Sequence, residues 1–231
     1  MKAYLAELIG TFALVFVGAG AGTLATGGLV GVALAHGLIL AGMIYAFGHV
    51  SGTHVNPAVT IGLLATGRIQ PVVAGGYLVA QLIGAALAGL ALRVIFPAQE
   101  LLGNTLLGDG VTVLGGFLAE MLLTFLLVTV IYGGAVDVRS PRGFAGLGIG
   151  LTLAAAILMG GPLTGASLNP ARTFGPALAT GNFTDFWLYL VAPILGGVLA
   201  GLLYSTFLMT PGLPEEPPDE VARRKPARRA R

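Results

Sequence analysis

The sequence predicts an all-α membrane protein of six transmembrane helices plus two re-entrant half-helices, arranged as an inverted repeat. Three observations carry that prediction. First, Asp, Glu, Lys and Arg are absent from Leu8 to Gly67 and again from Ile69 to Leu92. Second, the tripeptide Asn56-Pro57-Ala58 recurs as Asn169-Pro170-Ala171, 113 residues on. The same interval separates Glu7 from Glu120, Thr11 from Thr124, Gly37 from Gly150, Gly52 from Gly165 and Thr60 from Thr173, so the chain is internally duplicated. Third, the segment that follows each tripeptide is helical in character but too short to cross a bilayer.

The spans follow from composition. With 55% hydrophobic and only 10% charged residues, the chain lacks the charged exterior that a soluble protein of this size needs. Crossing the hydrocarbon core takes about 20 apolar residues. Six stretches qualify, roughly 4–25, 29–48, 71–95, 111–133, 144–160 and 185–209. Lys2 precedes an apolar run that outlasts a signal peptide and offers no convincing cleavage site. Small residues four apart, as in Ala33/Gly37/Ala41 and Gly146/Gly150/Ala154, allow close helix approach in lipid.

Several function classes are excluded. There is no cysteine, hence no disulfide and no thiolate metal site. His49 and His54 are poorly spaced for one helical face and have no evident third ligand, so neither a metal nor a cofactor is expected. The net charge of +2 is not a nucleic-acid signal, because six of the twelve basic residues fall in the last nine positions. The segment 211–231, rich in proline and charge, cannot bury a core and is expected to be a disordered basic tail that anchors topology. Six spans put both termini on one side. Lys2, Arg68, Arg139, Arg142 and the tail share that side, while Glu100, Asp109 and Asp185 lie opposite. Positive-inside bias makes the shared side cytoplasmic, with Arg93 as an exception. The expected location is the cell (plasma) membrane.

The half-helices are Asn56–Ala65 and Asn169–Ala179. Eleven residues at 1.5 Å each reach about 16 Å, roughly half the hydrocarbon thickness. Each repeat holds three full spans, so the second inserts upside down and its half-helix enters from the opposite face. The two Asn-Pro-Ala starts then converge near mid-membrane. Asn is a preferred N-cap whose side-chain oxygen accepts from first-turn amides, and proline suits the first helical position. Taken singly, each motif is no more than a capped helix. Taken together, two helix N-termini face each other, each with about half a positive charge. Irregular backbone at this depth is tolerated only in protein or beside an aqueous cavity. A pore accounts for both. Capping leaves the Asn56 and Asn169 amide NH2 groups to donate to a central water, which turns its hydrogens outward and opposes proton hopping and cation entry.

These motifs resemble those of the aquaporins, the water and glycerol channels of the major intrinsic protein family. The resemblance runs from about Ala3 to Met209 and is most specific in SGTHVNPAVT (Ser51–Thr60), GASLNPARTFGPA (Gly165–Ala177) and the paired starts around Glu7 and Glu120. It implies one aquaporin-like channel domain over 1–210, with repeat one at about 3–95 and repeat two at about 111–209, assembled as a homotetramer. It implies that Glu7 and Glu120, intramembrane carboxylates that are costly unless satisfied, accept from pore-loop amides and hold the loop carbonyls toward the channel. It also implies a constriction of His36, Ile157, Ala166 and Arg172, placed by their spacing from Asn56 and Asn169. Water-selective members usually have Phe and His where His36 and Ile157 stand. Glycerol channels usually have Trp and Gly there, with an aromatic at the Ala166 position. The combination here is similar to that of some plant vacuolar aquaporins, which admit water and often ammonia or urea.

The function implied is a passive channel for water, with permeability to small neutral solutes and exclusion of protons and ions. A glycerol, urea or ammonia facilitator of the same family is the alternative. A secondary transporter would need a coupling-ion site, and beyond Glu7 and Glu120 the membrane region offers no carboxylate for one. A non-conducting scaffold would leave Arg172 and both asparagines without a role. No nucleophile or metal cluster accompanies the two glutamates, so no enzyme is expected.

Overall fold

The computed structural model describes residues 1–25, 27–141 and 143–209. The tail 211–231 and Arg142 lie outside the described residues. Eight α-helices follow in order: α1 (Lys2–Leu24), α2 (Gly28–Ser51), the short α3 (Pro57–Ala65), α4 (Pro71–Ile95), α5 (Val113–Ile131), α6 (Ala145–Thr164), the short α7 (Pro170–Thr180) and α8 (Phe186–Leu203). Both α5 and α8 run on into π-helical turns, Tyr132–Val136 and Tyr204–Leu208. No strand occurs among the described residues. Among the described residues six helices are long and apolar enough to cross a membrane, the expected six.

These helices are apolar all round, the pattern of elements that meet lipid outside and protein inside. Leu38, Val72 and Leu114 are all more than half exposed. Inside, small residues and a few polar groups pack. The principal pairs are α2 with α6, α5 with α8 and α1 with α4, while α4 packs on α7 and α3 on α8. The α2–α6 seam is self-complementary: a Cβ on Gly37 would lie 2.5 Å from the Gly150 carbonyl, and one on Gly150 2.4 Å from the Gly37 carbonyl. Two residues 113 apart thus touch backbone to backbone, which no larger side chain permits.

Two helix ends fall later than hydropathy alone predicts. The second span reaches Ser51 rather than 48, and the fifth reaches Thr164 rather than 160. Each stops where glycine takes the left-handed conformation, Gly52 at φ 83° and Gly165 at φ 78°. These are C-terminal glycine stops, which an apolarity window does not register.

The repeat interval also shortens by one residue in the third span. Gly84 approaches the Leu8 carbonyl and Gly196 approaches that of Met121. Leu8 and Met121 keep the 113-residue interval, but Gly84 and Gly196 stand one residue closer. The same shift separates Tyr77, which donates to Ser51 O at 2.8 Å, from Tyr189, which donates to Thr164 O at 2.9 Å.

Candidate pore

Each half-helix starts on its motif asparagine. Asn56 has extended backbone, and its side-chain oxygen accepts from Ala58 N at 2.8 Å; Pro57 opens α3. Asn169 repeats this with Ala171 N at 3.0 Å and Arg172 N at 3.3 Å, and Pro170 opens α7. The capping predicted from the motif is present in both copies.

The amide NH2 groups are not wholly free. Asn56 Nδ2 donates to the Leu168 carbonyl at 2.8 Å, and Asn169 Nδ2 donates to the Val55 carbonyl at 2.9 Å. A side-chain amide has two N–H donors, so one on each asparagine joins the two repeats and one is left over. The reason is proximity that a single repeat cannot reveal: each loop places a carbonyl next to the other's cap.

The loops before the caps are built on two carboxylates. Glu7 Oε1 accepts from Ser51 Oγ at 2.7 Å and His54 N at 2.8 Å, and its Oε2 from Val55 N at 2.7 Å and Gln81 Nε2 at 2.8 Å. Glu120 Oε1 accepts from Thr164 Oγ1 at 2.7 Å and Ser167 N at 2.8 Å, and its Oε2 from Leu168 N at 2.8 Å. Both acids are fully buried. Thr53 and Val55 have positive φ, as do Ala166 and Leu168. Non-glycine residues rarely take that conformation, and here the charge-assisted bonds to carboxylate oppose its cost.

A cavity of about 820 Å³ passes both caps. Arg68, Asp137 and Met209, which follow the ends of α3, α5 and α8, lie on its wall, and so do His54, Asn56, Asn169, His36 and Arg172. At the rim, Arg139 holds Asp137 through Nε at 2.9 Å and through its own backbone N at 3.0 Å. Those bonds keep the Asp137 carboxyl well below the usual carboxylate range and raise the Arg139 guanidinium. Arg68 Nη2 meets Met209 Sδ at 3.3 Å, and Arg139 Nη2 donates to Leu208 O at 2.6 Å.

The four residues expected at the constriction divide into two pairs. His36 Nδ1 lies 2.9 Å from Val32 O, and its Nε2 has no protein partner among the described residues. Arg172 Nη1 donates to Gly103 O at 2.6 Å, and its buried Nε also lacks such a partner. Ile157 and Ala166 are buried in the apolar cluster with Leu123 and Leu153 and are not on the cavity wall. His54 sets Nδ1 3.1 Å from Thr60 Oγ1 and its ring against Tyr77.

Sequence reasoning missed several partners. Ser51 and Thr164 stand 113 residues apart and could have been found by that interval. Gln81 is an isolated amide in an apolar span, a signal in its own right. Gly103 and Thr105 lie in the irregular segment between α4 and α5, where no periodicity marks them.

The family model for the major intrinsic proteins matches residues 1–204. This chain belongs to the major intrinsic protein family. Among its relatives, Aquaporin TIP4-4 of Zea mays is 48% identical over 223 residues, covering 92% of this chain and 88% of that protein. Aquaporin Z of Bradyrhizobium diazoefficiens is 41% identical, covering 98% of this chain and 99% of that protein. The X-ray structure of the aquaglyceroporin from Plasmodium falciparum superposes with a TM-score of 0.81 at 26% identity, over 89% of this chain and 96% of that one. The fold is therefore that of a multi-pass major intrinsic protein, with the inverted repeat and paired half-helices expected from the motifs.

Proposed function

We propose that this protein is a passive transmembrane channel that conducts water and small neutral solutes and excludes protons and ions. The observation that carries the reading is the pair of reciprocal bonds between Asn56 and Leu168 and between Asn169 and Val55, set beside a cavity that both asparagines line. Family membership and the names of the relatives support it. In this reading Asn56, Pro57, Ala58, Asn169, Pro170 and Ala171 form the central constriction, where two helix dipoles repel cations. The remaining N–H of each asparagine serves the passing water. His36 and Arg172, which are on the cavity wall, and Ile157 and Ala166, which are off it in an apolar cluster that shares Leu153 with that wall, are the filter positions of this reading, and Glu7 and Glu120 hold the loops. The channel occupies residues 1–210, with repeats at about 3–95 and 111–209. It sits in the plasma membrane with both termini cytoplasmic and assembles as a homotetramer.

A glycerol, urea or ammonia facilitator is the second reading. It is favoured by Ile157 and Ala166, which give two filter positions no polar side chain and one of them very little bulk. One assay separates the readings. Stopped-flow light scattering on proteoliposomes should give fast osmotic shrinkage with weak temperature dependence and no response to ion gradients. A solute panel in the same vesicles ranks water against urea, ammonia and glycerol. Vesicles no leakier than empty controls would end both readings.

A further inference from the structure

The two half-helices are keyed into the fold by different donors. In repeat one, Gln81 of α4 donates from Nε2 to Thr60 Oγ1 at 3.0 Å, and Thr60 Oγ1 lies 3.2 Å from the Asn56 carbonyl. The partner of Gln81 in repeat two is found from the shortened interval of the third spans, which aligns Tyr77 with Tyr189 and Gly84 with Gly196. It is Pro193, buried inside α8. Proline has no side-chain donor. Thr173, the counterpart of Thr60, would be left without one.

Thr105 stands there instead. Its Oγ1 lies 2.8 Å from Thr173 Oγ1, which lies 2.6 Å from Ser167 Oγ, which donates to the Asn169 carbonyl at 2.9 Å. All four residues are buried. A hydroxyl has one proton, so the direction of the chain is fixed. Ser167 gives its proton to Asn169 O, because two oxygens at that distance need one between them. Thr173 must then donate to Ser167, and Thr105 must donate to Thr173. Asn169 N donates to Ser167 Oγ at 3.3 Å and completes that hydroxyl's set.

We propose that Thr105 is a positioning residue of the channel: its hydroxyl supplies the proton that begins this chain and replaces Gln81 in the second repeat. Through Thr173 and Ser167 it fixes the backbone at Asn169, three residues before Arg172. Two residues before Thr105, the Gly103 carbonyl holds the Arg172 guanidinium. One short loop segment thus sets both the start of α7 and the filter arginine. The inference rests on the channel reading proposed above and names a determinant of its selectivity.

The test measures urea and water permeability in proteoliposomes for the parent, Thr105→Val, Thr105→Ser and Thr173→Val. Loss of a net hydrogen bond changes a population by roughly fivefold, so Thr105→Val should raise the urea-to-water ratio by about that factor. Thr105→Ser keeps the donor and should match the parent. Thr173→Val removes the acceptor, so adding Thr105→Val to it should change nothing further. An unchanged ratio in Thr105→Val, or an equal shift in Thr105→Ser, overturns the proposal. If Thr105→Val does not insert, Thr173→Val against Thr173→Ser decides: a shift in the first only supports it, and no difference overturns it. Parent vesicles no leakier than empty ones would instead sink the channel reading.

Discussion

Asn56 gives an amide proton to the carbonyl of Leu168, and Asn169 returns the same bond to Val55. Each asparagine therefore does two structural jobs at once, capping its own half-helix and tying the opposite loop. Replacing Asn169 with Ala removes both. Loss of an N-cap costs about 1 kcal/mol, and a buried carbonyl left without its donor costs roughly 1–3 kcal/mol more. Asn169→Ala should lower the thermal unfolding midpoint in detergent, followed by circular dichroism, and should reduce osmotic water flux in vesicles. A midpoint equal to the parent's would contradict the double role.

The carboxylate of Glu120 accepts three donors on its two oxygens. Glutamine at this position keeps the shape but turns an NH2 toward at least one N–H that needs an acceptor. Hydrogen bonds to a charged group are worth about 1.5–3 kcal/mol each, and a donor–donor contact adds to the loss. Glu120→Gln should therefore destabilise the protein by roughly 2–4 kcal/mol, read as early aggregation on heating in size-exclusion profiles. A variant with the parent's profile would mean that the loop holds its positive-φ residues without help from the charge.

Much of this was legible because membrane burial and duplication leave strong marks. Charge-free stretches gave the spans, and the 113-residue interval paired Glu7 with Glu120 and Asn56 with Asn169. It paired Gly37 with Gly150 as well, although that these two touch each other depends on how the repeats dock. What stayed hidden depends on the tertiary arrangement. The reciprocal asparagine bonds need both loops in place, and the lost residue in the third span is masked by the repetitive small-residue pattern of α4 and α8. The loop holding Gly103 and Thr105 is irregular, so no hydrophobic period announces that it turns inward to Arg172 and Thr173.

Asp137 offers a pH test at the rim. Its carboxyl is held below the ordinary range by Arg139, so its contribution is fully present above the ordinary carboxylate value. That contribution is lost only as pH falls through the lowered value. Between about pH 5 and pH 8 the pair stays ionised. The difference in melting temperature between the parent and Asp137→Asn should then be constant across that window. A difference that shrinks steadily from the upper to the lower end would mean that the carboxyl titrates above the ordinary range and is not held down by Arg139.

Arg172 is the one full positive charge that the described residues place on the cavity wall beside the second cap. Its Nη1 is committed to Gly103 O, while its Nε has no protein partner among the described residues. Valine would remove the charge and every guanidinium donor. The two helix ends would remain, each with only about half a charge and with that effect confined to the first turn. The barrier to cations should fall more than the barrier to water, because water needs a path and a hydrogen-bond partner, whereas an ion must also meet the field. Arg172→Val vesicles loaded with a pH-sensitive dye should show faster proton or cation leak than the parent, with water flux little changed or higher. If leak rates match the parent's, exclusion resides in the paired helix ends alone, and the arginine has no part in it.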